Sequence, residues 1–242
     1  YPMSKRYPGG YIFRSNPTIV GPTNGEGGSA PGVWTLEQAS YYTKLGIWPQ
    51  KIIPKTLYSW GDGALGQLGQ NDTVARSSPT QVGADTTWLQ VSARGYFTTA
   101  KKTNGTLWSW GRNNTGQLGK NDTVNLSSPV QIGALTTWLS VSCGSYNTIA
   151  TKTDGTLWSW GYNAYGQLGL NDVANRSSPV QVGALTNWSS VSCTRASALS
   201  IKTDGTLWSW GMNQYGELGQ NNGVYRSSPV QVGALTTWLS VA

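Results

Sequence analysis

The chain has 242 residues, of which only 11% are charged, with 31 Gly and 13 Trp against 2 Phe, 2 Met and no His. The missing His excludes His-based triads, His general bases and His-ligated zinc. No apolar run approaches the ~18 residues of a membrane-spanning helix. The net charge of +7 is carried by scattered basic residues with no stripe for nucleic acid, the longest run being Lys101-Lys102.

In chain order, residues 1–33 come first and carry Pro2, Pro8, Pro17, Pro22 and Pro31 among Gly, Ser and Asn. Such a segment cannot bury a core and predicts an extended arm. Residues 34–50 predict one short helix. Thr35 can cap it, with Gln38 three residues on completing a capping box, and Gly46 ends it. Leu36, Ala39, Tyr42 (or Tyr41) and Leu45 form its apolar stripe. A helix this short needs a surface to dock on.

Residues 51–242 are a tandem repeat with a period of 50, framed as 51–105, 106–155, 156–205 and 206–242. Thr106-Leu107-Trp108-Ser109-Trp110-Gly111 recurs at 156–161 and 206–211, and as Thr56-Leu57-Tyr58-Ser59-Trp60-Gly61. Gly-Gln-Leu-Gly follows at 66–69, 116–119 and 166–169, then Ser-Ser-Pro, then a Trp at 88, 138, 188 and 238. Each repeat reads as four short strands. Trp138 to Cys143 alternates large apolar and small polar residues, and Thr148 to Lys152 is a second strand. Asp154-Gly155 is a hairpin turn whose residues accept positive φ. Leu107 to Trp110 is a third strand with both Trp on one face, and Pro129 to Ile132 is an edge strand opened by Pro.

Four strands per repeat predict an all-β propeller of four-stranded blades. The Trp-Ser-Trp-Gly-x-Asn-x-x-Gly-Gln-Leu-Gly unit, the Pro-Val-Gln-Val strand and Val-Ser-Cys-Gly resemble the repeat of the regulator of chromosome condensation family, over residues 55–242. The resemblance implies a propeller, in that family usually of about seven blades. A His common after Cys-Gly in the family is replaced here by Phe97, Asn147 and Ser197. About four blades are visible, with only three strands of the Thr-Ile-Ala-Thr-Lys type. Lys51 to Pro54 is a candidate for the missing one. The count, and Tyr1 in place of Met, predict an incomplete arc, truncated or completed by a partner.

The first fifty residues carry a second resemblance. Lys5-Arg6-Tyr7-Pro8-Gly9-Gly10-Tyr11-Ile12, Pro31 to Gln38 and Gly46-Ile47-Trp48-Pro49 are similar to the N-terminal segment of virion structural proteins from tailed bacteriophages, marine ones especially. This implies a tail or capsid appendage located in the virion. Its arm would attach to other virion proteins, its repeats would be displayed outward, and the chain would be a homo-oligomer within the assembly.

Anchoring falls to Tyr7, Tyr11, Trp34, Leu36, Tyr42 and Trp48, because aromatic side chains dominate docking patches. Trp60, Trp108, Trp110, Trp158, Trp160, Trp208 and Trp210 could stack on sugars, but a Trp at one fixed strand position is expected to fill the core between blades. Loop positions that vary against the scaffold suit a ligand better. They are Asp62, Arg112, Tyr162 and Met212 at one position, with Ala64, Thr115, Tyr165 and Tyr215 nearby; Arg112, Tyr162, Tyr165 and Tyr215 are the ligand candidates. Asp72, Asp122 and Asp172 each follow an Asn, which Asx turns explain without a metal. Cys143 and Cys193, at equivalent positions, are expected as small buried thiols.

No Gly-x-Ser-x-Gly elbow, phosphate loop or carboxylate pair is present, so the expectation is a non-enzymatic virion structural protein without cofactor. A host-receptor or glycan-binding propeller is the alternative, and a regulator of a small GTPase a further one. Neither nucleic acid nor membrane is expected as a partner.

Overall fold

The computed structural model describes residues 56–241. The arm, the short helix, the six proposed anchors and the Lys51–Pro54 strand lie outside the described residues. Fourteen strands make four sheets. A two-stranded sheet pairs β1 (Tyr58–Gly61) with β2 (Arg76–Gln81). The next sheet runs β3 (Trp88–Arg94), β4 (Phe97–Lys102), β5 (Leu107–Gly111) and β6 (Leu126–Gln131). The third runs β7 (Trp138–Cys143), β8 (Asn147–Lys152), β9 (Leu157–Gly161) and β10 (Arg176–Gln181). The fourth runs β11 (Trp188–Cys193), β12 (Ser197–Lys202), β13 (Leu207–Gly211) and β14 (Arg226–Gln231). All neighbours are antiparallel, and β7 and β11 each pack against the first two strands of the sheet before, β7 on β3 and β4 and β11 on β7 and β8.

Each complete sheet starts at the Trp of one sequence frame and ends with the Ser-Ser-Pro strand of the next. The frames at 106 and 156 therefore straddle sheets, which bind strands on either side of the frame boundary. The fourth Trp-x-x-Val copy, Trp238 to Val241, forms no strand. It has no described second strand to pair with. The edge strand starts at Leu126, not at Pro129, and holds Pro129 inside it. An outer strand tolerates this, because the missing N–H faces no neighbour, and the register of β6 on β5 slips between Ser109 and Gly111.

The hairpins also differ from the expected turn. Only Gly155 takes positive φ (76°), while Asp154 does not. The turn closes by Gly155 N–H to the Lys152 carbonyl at 3.0 Å and Lys152 N–H to the Thr156 carbonyl at 3.0 Å. Asp154 Oδ1 accepts from Thr156 N (3.0 Å) and Thr156 Oγ1 (2.6 Å). Thr156 Oγ1 in turn accepts the Trp158 indole N–H at 2.8 Å.

One joint, made three times, holds successive sheets together. The Trp110 indole lies on Gly69 of the preceding sheet's loop and donates to the Gln67 carbonyl at 3.0 Å. Trp160 does the same with Gly119 and Gln117, and Trp210 with Gly169 and Gln167, both at 3.0 Å. Asn121 N–H also crosses to the Ser177 carbonyl at 2.7 Å, from a left-handed Asn121 (φ 63°). Trp110, Trp160 and Trp210 are at most 1% exposed and fill the core as expected.

The other four Trp of the strand unit depart from that expectation. Trp60 is 61% exposed, because no preceding sheet with such a loop stands against it among the described residues. Trp108, Trp158 and Trp208 are half-buried. Each lies at the turn end of its strand and is covered by a lysine: Lys102, Lys152 and Lys202 hold Nζ 3.5, 3.4 and 3.5 Å from their ring centroids. The lysine stem thereby serves as apolar cover.

Cys143 and Cys193 are buried free thiols. Burial pushes the Cys193 thiol up to about 12, which leaves it unreactive at neutral pH. The Asn-Asp pairs act within their loops. Asp122 Oδ1 accepts from Asn113 Nδ2 (2.8 Å) and Val124 N (3.1 Å), and Asp72 and Asp172 pair with Arg76 and Arg176.

Candidate functional site

The two ends of the sheets carry different chemistry. One end holds the connection from first to second strand and the long loop from third to fourth. Buried asparagines fasten that long loop. Asn113, fully buried, accepts Leu118 N–H at 2.9 Å and donates to Asp122, and Asn163 repeats both bonds with Leu168 and Asp172. The position before each Asn is tied down by its own backbone. Arg112 N–H donates to the Tyr96 carbonyl (2.8 Å), Tyr162 N–H to Tyr146 (2.9 Å) and Met212 N–H to Ala196 (2.9 Å). Side chains at these positions are therefore presented from a rigid loop.

There they join into a track that crosses from one sheet to the next. The Arg112 guanidinium lies 5.9 Å from the Tyr96 ring of its own sheet and 5.1 Å from the Tyr146 ring of the next. Tyr146 meets Tyr162 edge to face at 6.1 Å, Tyr162 meets Tyr165 at 6.0 Å, and Tyr165 meets Tyr225 of the following sheet at 5.9 Å. Between them opens a cleft of about 280 Å³, lined also by Asn114, Gln167 and Arg195. No carboxylate lines it. Arg112 donates Nε to Asn114 Oδ1 at 2.9 Å, and neither Arg112 nor Arg195 forms an ion pair among the described residues. The cleft is thus aromatic and positively charged. It can stack flat groups and donate hydrogen bonds to anions, and it holds no nucleophile paired with a base.

A larger space of about 490 Å³ runs along β1 against Val91, Ala93 and Arg94. It occupies the place where the other sheets have their inner strands, so it is a slot of the blade architecture.

Of the four candidate ligand residues, the structure brings Arg112, Tyr162 and Tyr165 together. Tyr215, 81% exposed, stands apart from the cleft, one joint further along. Sequence reasoning missed Tyr96, Tyr146, Arg195 and Tyr225. The first three sit in the connection between first and second strands, and both columns (Tyr96, Tyr146, Ala196 and Gly95, Ser145, Arg195) vary between repeats. That variation was the available signal.

Four-stranded antiparallel sheets, joined in sequence by their first strands and a Trp-on-Gly joint, define a β-propeller built of tandem repeats. The chain belongs to the regulator of chromosome condensation (RCC1) repeat family, whose model matches residues 56–100, 104–151, 154–199 and 204–242. A second model of that repeat matches 138–167 and 188–217. Among solved structures, human WBSCR16 is 26% identical, with a TM-score of 0.66 over 75% of this chain and 49% of that one. Prp20p from Saccharomyces cerevisiae, described with its binding properties to Gsp1p and histones, is 19% identical (TM-score 0.66, 75% and 47%). Yeast RCC1 (Prp20) bound to Kap60 is 18% identical (TM-score 0.67, 76% and 46%). The chain spans about half the length of these structures. No curated protein matches it.

Proposed function

We propose that this chain is a non-catalytic interaction module that recognises a protein partner through the loop end of its propeller repeats. The observation that carries the reading is the continuous track Tyr96–Arg112–Tyr146–Tyr162–Tyr165–Tyr225, in which Arg112, Tyr162, Tyr165 and Tyr225 stand on the buried-Asn loops. Tyr and Arg are the residues that concentrate binding energy at protein interfaces, and a rigid Tyr loses little entropy on binding. Protein recognition is also the use described for the fold relatives Prp20p, with Gsp1p and histones, and yeast RCC1, with Kap60. Those partners belong to those proteins.

The finer reading places the module in a tailed-phage virion, held by residues 1–50 and displaying its repeats outward. Its support is the resemblance of residues 5–12, 31–38 and 46–49 to phage virion segments. Two variants separate the parts of this proposal. A chain lacking residues 1–50 is expected to be absent from purified particles while still folding. Arg112→Ala with Tyr162→Ala is expected to stay on the particle and lose partner affinity about a hundredfold. Full incorporation of the shortened chain would refute the virion anchor, and full affinity of the double variant would refute the binding track. A glycan bound by the wild type and lost with Tyr165→Ala would replace the protein partner with a saccharide.

A further inference from the structure

The opposite end of the sheets holds three copies of a buried lysine under two indoles, and one copy differs from the other two. Lys102 lies over Trp88 and Trp108 at 4.8 and 3.5 Å, Lys152 over Trp138 and Trp158 at 5.0 and 3.4 Å, and Lys202 over Trp188 and Trp208 at 4.8 and 3.5 Å. All three lysines are at most 9% exposed. Beside Lys102 stands a carboxylate: Asp85 Oδ2 lies 2.5 Å from Nζ, and Asp85 Oδ1 is held by Thr87 N at 2.8 Å and Thr87 Oγ1 at 2.5 Å. Burial raises the Asp85 pKa, but the hydrogen bonds from Lys102 and Thr87 outweigh it and hold the carboxyl down at about 2.

Fifty residues on, and again at one hundred, the place of Asp85 is taken by Leu135 and Leu185. Lys152 and Lys202 form no ion pair among the described residues. The nearest acids, Asp154 and Asp204, are spent on Thr156 and Thr206. They favour the ammonium only through space, and burial still lowers both lysine pKa values. The lysine stems are covered by the indoles while Nζ itself is not among the fully enclosed unpartnered atoms, so a carboxylate at hydrogen-bond distance can reach the ammonium and adds a charge-assisted bond.

An opening adjoins each indole pair. A space of about 430 Å³ opens among Leu135, Trp138, Trp158 and Pro179, and one of about 300 Å³ among Leu185, Trp188, Trp208 and Pro229, each lined by the indoles and not by Lys152 or Lys202 itself. Leu135 and Leu185 are 46% and 49% exposed, so each forms a wall of its opening.

We propose that Lys152 and Lys202 each bind the carboxylate of an Asp or Glu side chain from a protein partner, in the place that Asp85 fills beside Lys102. The occupant is a protein side chain because the chain's own filled copy uses one. Its methylene stem would lie against Leu135 and the indoles while the carboxylate meets the ammonium. The two sites are one sheet apart, so the partner presents two acidic side chains along one surface. This site lies at the end opposite the tyrosine track and does not depend on it.

The test is a titration of the full chain with a hexaglutamate peptide, followed through the indole N–H resonances of Trp108, Trp158 and Trp208. Trp158 and Trp208 are expected to shift, and Trp108, whose lysine is already paired, to stay in place. Leu135→Asp should abolish the Trp158 response and leave that of Trp208, while Asp85→Leu should make Trp108 respond. A hexaglutamine control should move none of the three. The proposal is overturned if hexaglutamate leaves Trp158 and Trp208 unmoved, if Leu135→Asp responds as the wild type does, or if trigalacturonate shifts them and hexaglutamate does not. Should Leu135→Asp fail to fold, Lys152→Met gives the same expected loss at Trp158 with the apolar cover kept.

Discussion

Replacing Trp160 by Ala is expected to destabilise the repeat unit by about 4 kcal/mol, read from the midpoint of urea unfolding at unchanged slope. Trp160 is completely buried, with its ring 5.9 Å from Trp138 and its indole N–H on the Gln117 carbonyl. Truncation removes the largest side chain from a joint between two sheets and one of the two hydrogen bonds to the Gln117 carbonyl, which keeps the one from Thr148 Oγ1 at 2.9 Å. The surrounding backbone is tied on both sides by ladder hydrogen bonds, so the cavity cannot collapse. Trp60→Ala removes the same atoms from the same repeat position, yet should change stability by no more than about 0.5 kcal/mol, because its ring is exposed. Equal losses for the two variants would contradict the joint as described.

The second large effect is expected from Gly119→Ala, at about 3 kcal/mol. Two costs meet there. Gly119 has φ +69°, which a Cβ disfavours, and the new Cβ would sit 2.8 Å from Trp160 Nε1. The indole cannot withdraw without breaking its bond to Gln117. Gly219 supplies the comparison within the same chain. It has φ +63° but only a Val232 methyl within reach, at 3.3 Å. Gly219→Ala should therefore cost about 1 kcal/mol, the backbone part alone. The difference between the two variants measures how closely the Trp and Gly faces of neighbouring sheets approach.

Both comparisons mark what the amino-acid sequence discloses. A period of 50 residues with hairpin signals is enough for a propeller, because each signal is local: Gly155 for the turn, Trp138 to Cys143 for the half-buried strand. The grouping of strands into sheets is not local. A repeat frame can be cut anywhere, and only the pairing of β3 through β6 shows where a blade begins. Burial of the Trp residues also escaped the pattern. Trp158 and Trp160 share a strand face, but one meets a lysine at the turn end and the other a glycine loop of the neighbouring sheet. Trp60 has the sequence surroundings of a core residue, but among the described residues no neighbouring sheet covers it.

The track was legible in part for the same reason. Arg112 and Tyr162 stand in one column of the repeat and vary while their neighbours do not. Tyr146 reaches them from a different connection, and Arg195 from a different sheet. Sequence spacing cannot place such residues together; the packing of successive sheets does.

The most direct measurement of the binding end is tyrosine footprinting of the chain with and without its protein partner. Tyr146, Tyr162 and Tyr165 should become protected together, while Tyr58, 48% exposed at the opposite end of its sheet, should stay fully reactive. Unchanged reactivity at all three track residues in the saturated complex would contradict the account.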